Sequence, residues 1–106
     1  MELQTFNFDN NAVRTVVDEH GEWFCGRDVA EALGYKRTAD AISQHVRGSV
    51  IYRPILDSLG REQQAKFITE PDVMRLIISS KLPAAQRFER WVFEEVLPAI
   101  RRTGSY

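Results

Sequence analysis

Only one cysteine, Cys25, occurs in the 106 residues, which excludes an intrachain disulfide and a multi-cysteine zinc site and fits a reducing compartment. No stretch approaches the roughly 18 apolar residues of a membrane span. The acidic opening Met1-Glu2-Leu3-Gln4 lacks the basic-then-apolar layout of a signal peptide, so a cytoplasmic protein with no membrane partner is expected. There is no phosphate-cradling glycine-rich loop and no metal-ligand spacing of His, Cys or carboxylates, so neither cofactor nor metal is expected. Net charge is nearly missing too: it is −1, with a pI of about 6.1. A simple polycationic nucleic-acid binder would have a pI above about 9. Internal repeats, linkers and low-complexity tracts are absent.

What is present is enough for one hydrophobic core and too little for two, so residues 1–106 are expected to form a single domain. Hydrophobic residues make up 43% and charged residues 27%, and six Phe, two Trp and three Tyr supply large side chains for packing. The charge is segregated. Residues 1–31 hold two Arg against seven carboxylates, residues 36–66 hold six basic against three acidic groups, and residues 67–106 hold six against five. The local field on one face matters more than the total when a polyanion approaches. Eleven of the fourteen basic residues are Arg, the type suited to bidentate phosphate and guanine contacts.

Leu3 to Phe8 and Ala12 to Asp18 alternate apolar with polar residues around the turn-forming Asp9-Asn10-Asn11, predicting a β-hairpin; Glu22 to Cys25 predicts a third strand. From Arg27 the period becomes helical through Val29, Ala30 and Leu33, and Gly34 marks a stop. Thr38 is the expected cap of a second helix to about Val46, with Ala39, Ile42 and Val46 inward and Asp40, Ser43, Gln44 and Arg47 outward at i, i+3, i+4, i+7. Two short helices about a glycine-containing turn match a helix-turn-helix plan. Val50-Ile51-Tyr52 and Lys66-Phe67-Ile68 predict a β-ribbon around Asp57-Ser58-Leu59-Gly60, with Pro54 on an edge strand. Thr69-Glu70-Pro71-Asp72 reads as a helix start, with Thr69 as cap and Asp72 facing the positive helix end. Val73, Met74, Ile77 and Ile78 are the expected buried side. Pro83 opens another helix with an apolar stripe of Ala84, Phe88, Trp91, Val92 and Val96, paired Arg90 and Glu94 outside, a kink or restart at Pro98, and Arg101-Arg102 before a stop at Gly104. The fold class expected is therefore α+β: a small antiparallel sheet, a helix-turn-helix-like pair, a β-ribbon and C-terminal helices.

Cys25 with His20 or His45 lacks a third orienting group or a local catalytic motif, so these residues read as a partly buried strand cysteine and two exposed histidines, and no enzyme activity is expected. Phe88 and Trp91 read as core, and Arg101 and Arg102 as complements to a helix dipole. The polar face of the second helix reads either as a solvated surface or as a DNA-reading face. Its neighbours favour the second: Lys36 and Arg37 precede it, Arg47 ends it, and Arg53, Arg61 and Lys66 follow on the ribbon. In that reading Thr38, Ser43, Gln44 and Arg47 approach base edges and backbone, Gln44 and Arg47 suiting adenine and guanine, while the remaining basic groups neutralise phosphates. Asp40, the awkward residue of the set, would face a base donor or else repel the backbone.

Trp23-Phe24-Cys25-Gly26-Arg27-Asp28-Val29-Ala30-Glu31-Ala32-Leu33-Gly34-Tyr35 resembles the aromatic, DVA, LGY signature of the Bro-N family. Phe67-Ile68-Thr69-Glu70 with Arg75-Leu76-Ile77, Ser80-Lys81-Leu82-Pro83-Ala84-Ala85 through Phe88 and Trp91-Val92, and Val96-Leu97-Pro98-Ala99-Ile100-Arg101 with Thr103-Gly104-Ser105-Tyr106 are similar to that family's later segments, in order. The resemblance implies a DNA-binding domain of viral BRO proteins and of phage or prophage antirepressors, regulating transcription and often followed by a C-terminal domain absent from this chain. It also implies structural roles for Asp28, Leu33, Gly34 and Trp91, with specificity placed between Lys36 and Lys66. Two partners follow as expectations. One is double-stranded DNA, which a homodimer would engage with twice the local charge. The other is a repressor or similar regulatory protein, bound by an interaction module that does not contact DNA.

Overall fold

The computed structural model describes residues 3–103. The Met1-Glu2 opening, the stop at Gly104 and the end of the Thr103-Gly104-Ser105-Tyr106 motif lie outside the described residues.

Alternation sets the first three elements. β1 (Leu3–Phe8), β2 (Asn11–Asp18) and β3 (Gly21–Cys25) form an antiparallel meander in which Phe6 faces Val13 and Val16 faces Trp23. The chain turns from Cys25 directly into α1 (Gly26–Ala32), and Gly34, at φ 83°, supplies the left-handed residue that ends it. The β2–β3 register therefore stops at Thr15–Phe24. The N–H of the next β2 residue, Arg14, donates instead to the Asp28 carboxylate of α1 at 3.0 Å, a side chain standing in for the missing strand.

α2 (Thr38–His45) follows, then β4 (Val50–Leu56) and β5 (Glu62–Ile68). Separate as they look in sequence, the meander and the ribbon make one sheet of order β1-β2-β3-β5-β4, joined through Phe24–Ile68 and Cys25–Phe67. β4 is an edge strand, where Pro54 removes no ladder bond. One sheet face carries the main core, with Phe8, Val13, Phe24 and Ile68 packed against helical Val29, Leu76, Phe88 and Val92. On the other, Val16, Trp23 and Cys25 meet Ile55, Ala65 and Phe67 across the two halves of the sheet. A groove of about 400 Å³, lined by Leu3 and Arg14 on one half and Pro54, Ile55, Leu56 and Glu62 on the other, shows how far the sheet curls.

α3 (Glu70–Ser79) and α4 (Ala84–Trp91) cover the main core, and Phe8 of β1 packs edge-on to Phe88 with ring centroids 5.0 Å apart. At the expected kink or restart, a π turn (Val92–Val96) leads into a new α-helical segment, α5 (Leu97–Thr103), with Pro98 in its first turn. The Leu97 N–H reaches Val92 O, five residues back, and Pro98, which has no N–H, enters at the second position of α5, where a helix tolerates proline. Arg101 reaches back to Glu22 of β3 at 3.2 Å, tying this helix to the sheet as well as suiting its dipole.

The domain is α+β, as its sequence implies, but two helices are rotated from expectation. In α2, Ala39 is exposed and Ala41 is buried beside Ile42; the N-cap position is Arg37 rather than Thr38, and the chain is already extended at Val46. In α3, Ile78 is 74% exposed while Leu76 is 0% exposed, and Thr69 occupies the N-cap without a side-chain cap bond. No helix among the described residues is long and apolar enough to cross a membrane.

Candidate nucleic-acid interface

The eight residues of α2 present Ala39, Asp40, Ser43 and Gln44 to solvent. Lys36 and Arg37 lie exposed on the approach, and the Arg37 guanidinium stands 3.7 Å from Asp40, setting a cation beside the acid that would otherwise repel a phosphate. Thr38 is half-buried in the first turn. Arg47 does not complete a helical stripe, because α2 has ended; it sits on the loop between α2 and β4 with its side chain outward.

That loop is fixed from below. Asp72 of α3 is 0% exposed, and its two oxygens accept the backbone N–H groups of Arg47 and Gly48, each at 2.9 Å, together with the Arg75 guanidinium. Burial pushes this carboxyl up, but the two N–H bonds and Arg75 outweigh it and hold it below the ordinary aspartate value. Asp72 therefore does more than face its own helix dipole. The C-terminal residue of α2 is anchored as well: His45 lies half-buried, its Nδ1 3.4 Å from Ser79 Oγ and its ring 6.1 Å from Tyr35.

Strand parity sorts the ribbon residues. Lys66 faces Tyr52 across the β4–β5 register, on the helix-bearing side of the sheet, with its Nζ 6.0 Å from the Tyr52 ring. The backbone of Lys66 is close to α2, since its carbonyl and the Ile42 side chain both crowd Gly26. Arg53 alternates with Ile51 and Ile55 and so rises from the opposite face, opposite Ala65, with its guanidinium on the Tyr52 carbonyl. Arg61 closes the ribbon turn on Asp57 at 2.8 Å. The structure thus places Lys36, Arg37, Ser43, Gln44 and Arg47 on α2 and its flanking loops, Lys66 with Tyr52 on the helix-bearing face of the ribbon, Arg53 on the opposite face and Arg61 at the ribbon turn.

Tyr52, 54% exposed beside Lys66, and Arg75, bonded to the same Asp72 oxygen as the Arg47 N–H, are missed by sequence reasoning. Tyr52 had a usable signal in its parity with Lys66; the Asp72 clamp had none, because its partners lie 24 and 25 residues away. Cys25 is 0% exposed rather than partly buried, and burial followed by the nearby Asp28 charge pushes its thiol up to about 11. A thiol so placed stays protonated and is no nucleophile. His20 lies apart from it on the β2–β3 turn beside Glu19.

Residues 12–98 match the BRO family, N-terminal domain. A protein of Haemophilus influenzae is 44% identical over 107 residues, covering 100% of this chain and 53% of its own length. Bro-N domain-containing protein 201R of Invertebrate iridescent virus 6 is 30% identical over 122 residues, which is 96% of this chain and 29% of that protein. Bro-N domain-containing protein J of Lymantria dispar multicapsid nuclear polyhedrosis virus is 30% identical over 99 residues, 78% of this chain and 25% of that protein. The chain therefore spans about half the length of the bacterial relative and under a third of these viral ones. No solved structure matches it. Because the match runs from β2 to α5, through α1, α2 and the ribbon alike, the chain belongs to the BRO family, whose N-terminal Bro-N domain it carries.

Proposed function

We propose that this domain binds double-stranded DNA, without catalysing a reaction on it, and that it serves a regulator of transcription. The observation that carries this reading is the exposed polar face of α2, with Arg47 exposed just beyond its end, and the Lys66–Tyr52 pair on the helix-bearing face of the ribbon. An α-helix such as α2, about 10–12 Å across with its side chains, fits a major groove about 12 Å wide. Gln44 has the donor and acceptor needed for an adenine edge, Ser43 can serve either purine or pyrimidine, and Arg47 matches guanine or phosphate. Lys36, Arg37 and Lys66 supply phosphate contacts around that insertion. Membership of the Bro-N family supports the reading.

Anisotropy of a labelled mixed-sequence duplex across a salt titration tests it. Four to six phosphate contacts predict a log–log slope of about −0.9 for each. Changing Arg37, Arg47 and Lys66 together to Ala is expected to reduce the slope magnitude by about 2.7, whereas Arg53→Ala, on the other face, leaves it nearly unchanged. A folded protein that binds no duplex even at low salt would sink the reading. It would favour the second one, docking of a repressor-like protein, which the mainly apolar groove at Leu3, Pro54, Ile55 and Leu56 supports.

A further inference from the structure

We infer that Asp72 is the positioning residue of the DNA interface: its buried carboxylate holds the backbone of Arg47 and Gly48, and so sets where the Arg47 side chain meets the duplex. The inference rests on the DNA-binding reading above.

A fully buried carboxylate is costly unless its oxygens are satisfied. Asp72 meets that need mainly outside its own helix, with one oxygen on the Arg47 N–H and the other on the Gly48 N–H, each at 2.9 Å. Its place in the first turn of α3 would have allowed it to cap local N–H groups, yet α3 has no side-chain cap bond at its N-terminus. Gly48 is shaped to this contact: a Cβ there would lie 3.1 Å from Asp72 Oδ2 and 3.6 Å from Thr69 Oγ1. Arg75, half-exposed, bonds the same oxygen as the Arg47 N–H and puts a second guanidinium beside it. Together with the His45–Ser79 contact, the clamp pins the end of α2 and the start of the loop to α3. Arg47 therefore projects from a fixed Cα, and holding it on a duplex costs less ordering than it would from a mobile loop.

Two readouts on the intact chain test this. In the amide spectrum without DNA, Asp72→Asn keeps the shape and removes the charge; the Arg47 and Gly48 N–H resonances are expected to move upfield as their hydrogen bonds weaken, while the aromatic core resonances stay dispersed. In duplex binding, Asp72→Asn and Arg47→Ala are each expected to weaken affinity on the order of tenfold and to lower the salt slope by about one contact. Asp72→Asn in the Arg47→Ala background adds less than about twofold, because the two act through one contact. An equal loss in both backgrounds, or unmoved Arg47 and Gly48 amides, overturns the inference and leaves the DNA reading standing. The amide response in Asp72→Asn together with a folded wild-type protein that binds no duplex overturns the DNA reading, and the positioning role falls with it. Should Asp72→Asn not fold, Gly48→Ala, which crowds Oδ2 without removing charge, carries the same comparison.

Discussion

Asp28 takes three donors from Arg14: the backbone N–H at 3.0 Å, Nε at 2.7 Å and Nη2 at 2.7 Å. The carboxylate is nearly buried, and this bonding raises the Arg14 guanidinium above its ordinary value. Arg14→Ala would keep the backbone bond and strip the buried charge of its cation. The expected loss is about 2 to 3 kcal/mol in urea unfolding at unchanged m-value; a loss under about 0.5 kcal/mol would contradict the role assigned to the pair. The carboxylates also set the pH response. Asp72 lies below the ordinary aspartate value, and so does Asp18, where burial is outweighed by the Trp23 Nε1–H and His20 N–H bonds. A group with a lowered folded pKa binds its proton more readily when unfolded, so its contribution is complete above about pH 4 and is lost as pH falls through the folded value. Tm is therefore expected to be level from about pH 7 to 5 and to drop below about pH 4. Asp72→Asn should lower Tm at pH 7 and make the acid drop shallower; an acid limb as steep as that of the wild type would show that Asp72 does not contribute to it.

Between elements, the loop after α1 docks on α3 and the connection that follows it: Tyr35 Oη donates to Leu76 O at 2.8 Å and Ser80 Oγ to Leu33 O at 3.0 Å. Gly34 is required here twice over, since its φ is 83° and a Cβ would fall 2.0 Å from Leu82 Cδ1. Gly34→Ala is expected to cost about 2 to 4 kcal/mol, and adding Leu82→Ala should return the steric part and leave about 1 to 2 kcal/mol from the backbone. Equal stability of the single and double variants would disprove the close approach. Gly34 was legible as a helix stop, and the strand alternation, the edge position of Pro54 and the helix start at Thr69-Glu70-Pro71 were legible by the same local chemistry. The phases of α2 and α3 were not. α2 offers Ala39, Ala41, Ile42 and Val46, and α3 offers Leu76, Ile77 and Ile78 in a row, so periodicity alone does not choose a face. The neighbours do: Gly26 of α1 receives Ile42, and α3 turns Leu76 to the main core.

Over the whole molecule, the near-zero net charge hides a division that the fold preserves. The acidic first segment builds β1 to α1, and the basic segment from Lys36 to Lys66 builds α2, the Arg47 loop and the ribbon. The types and order of the candidate contact residues were legible, including the outward Ser43 and Gln44. The sides taken by Arg53 and Arg61 were not, because one depends on strand parity through a proline-bearing edge and the other on a turn carboxylate. The clamp under Arg47 depends on a contact between elements far apart in sequence. An amide-resolved titration of the folded chain with duplex DNA tests the central claim most directly. The predicted result is shifts concentrated at Lys36, Arg37, Ser43, Gln44, Arg47, Tyr52 and Lys66, fading as salt rises. Shifts confined to the groove around Leu3, Ile55 and Leu56, or none at low salt, would contradict it.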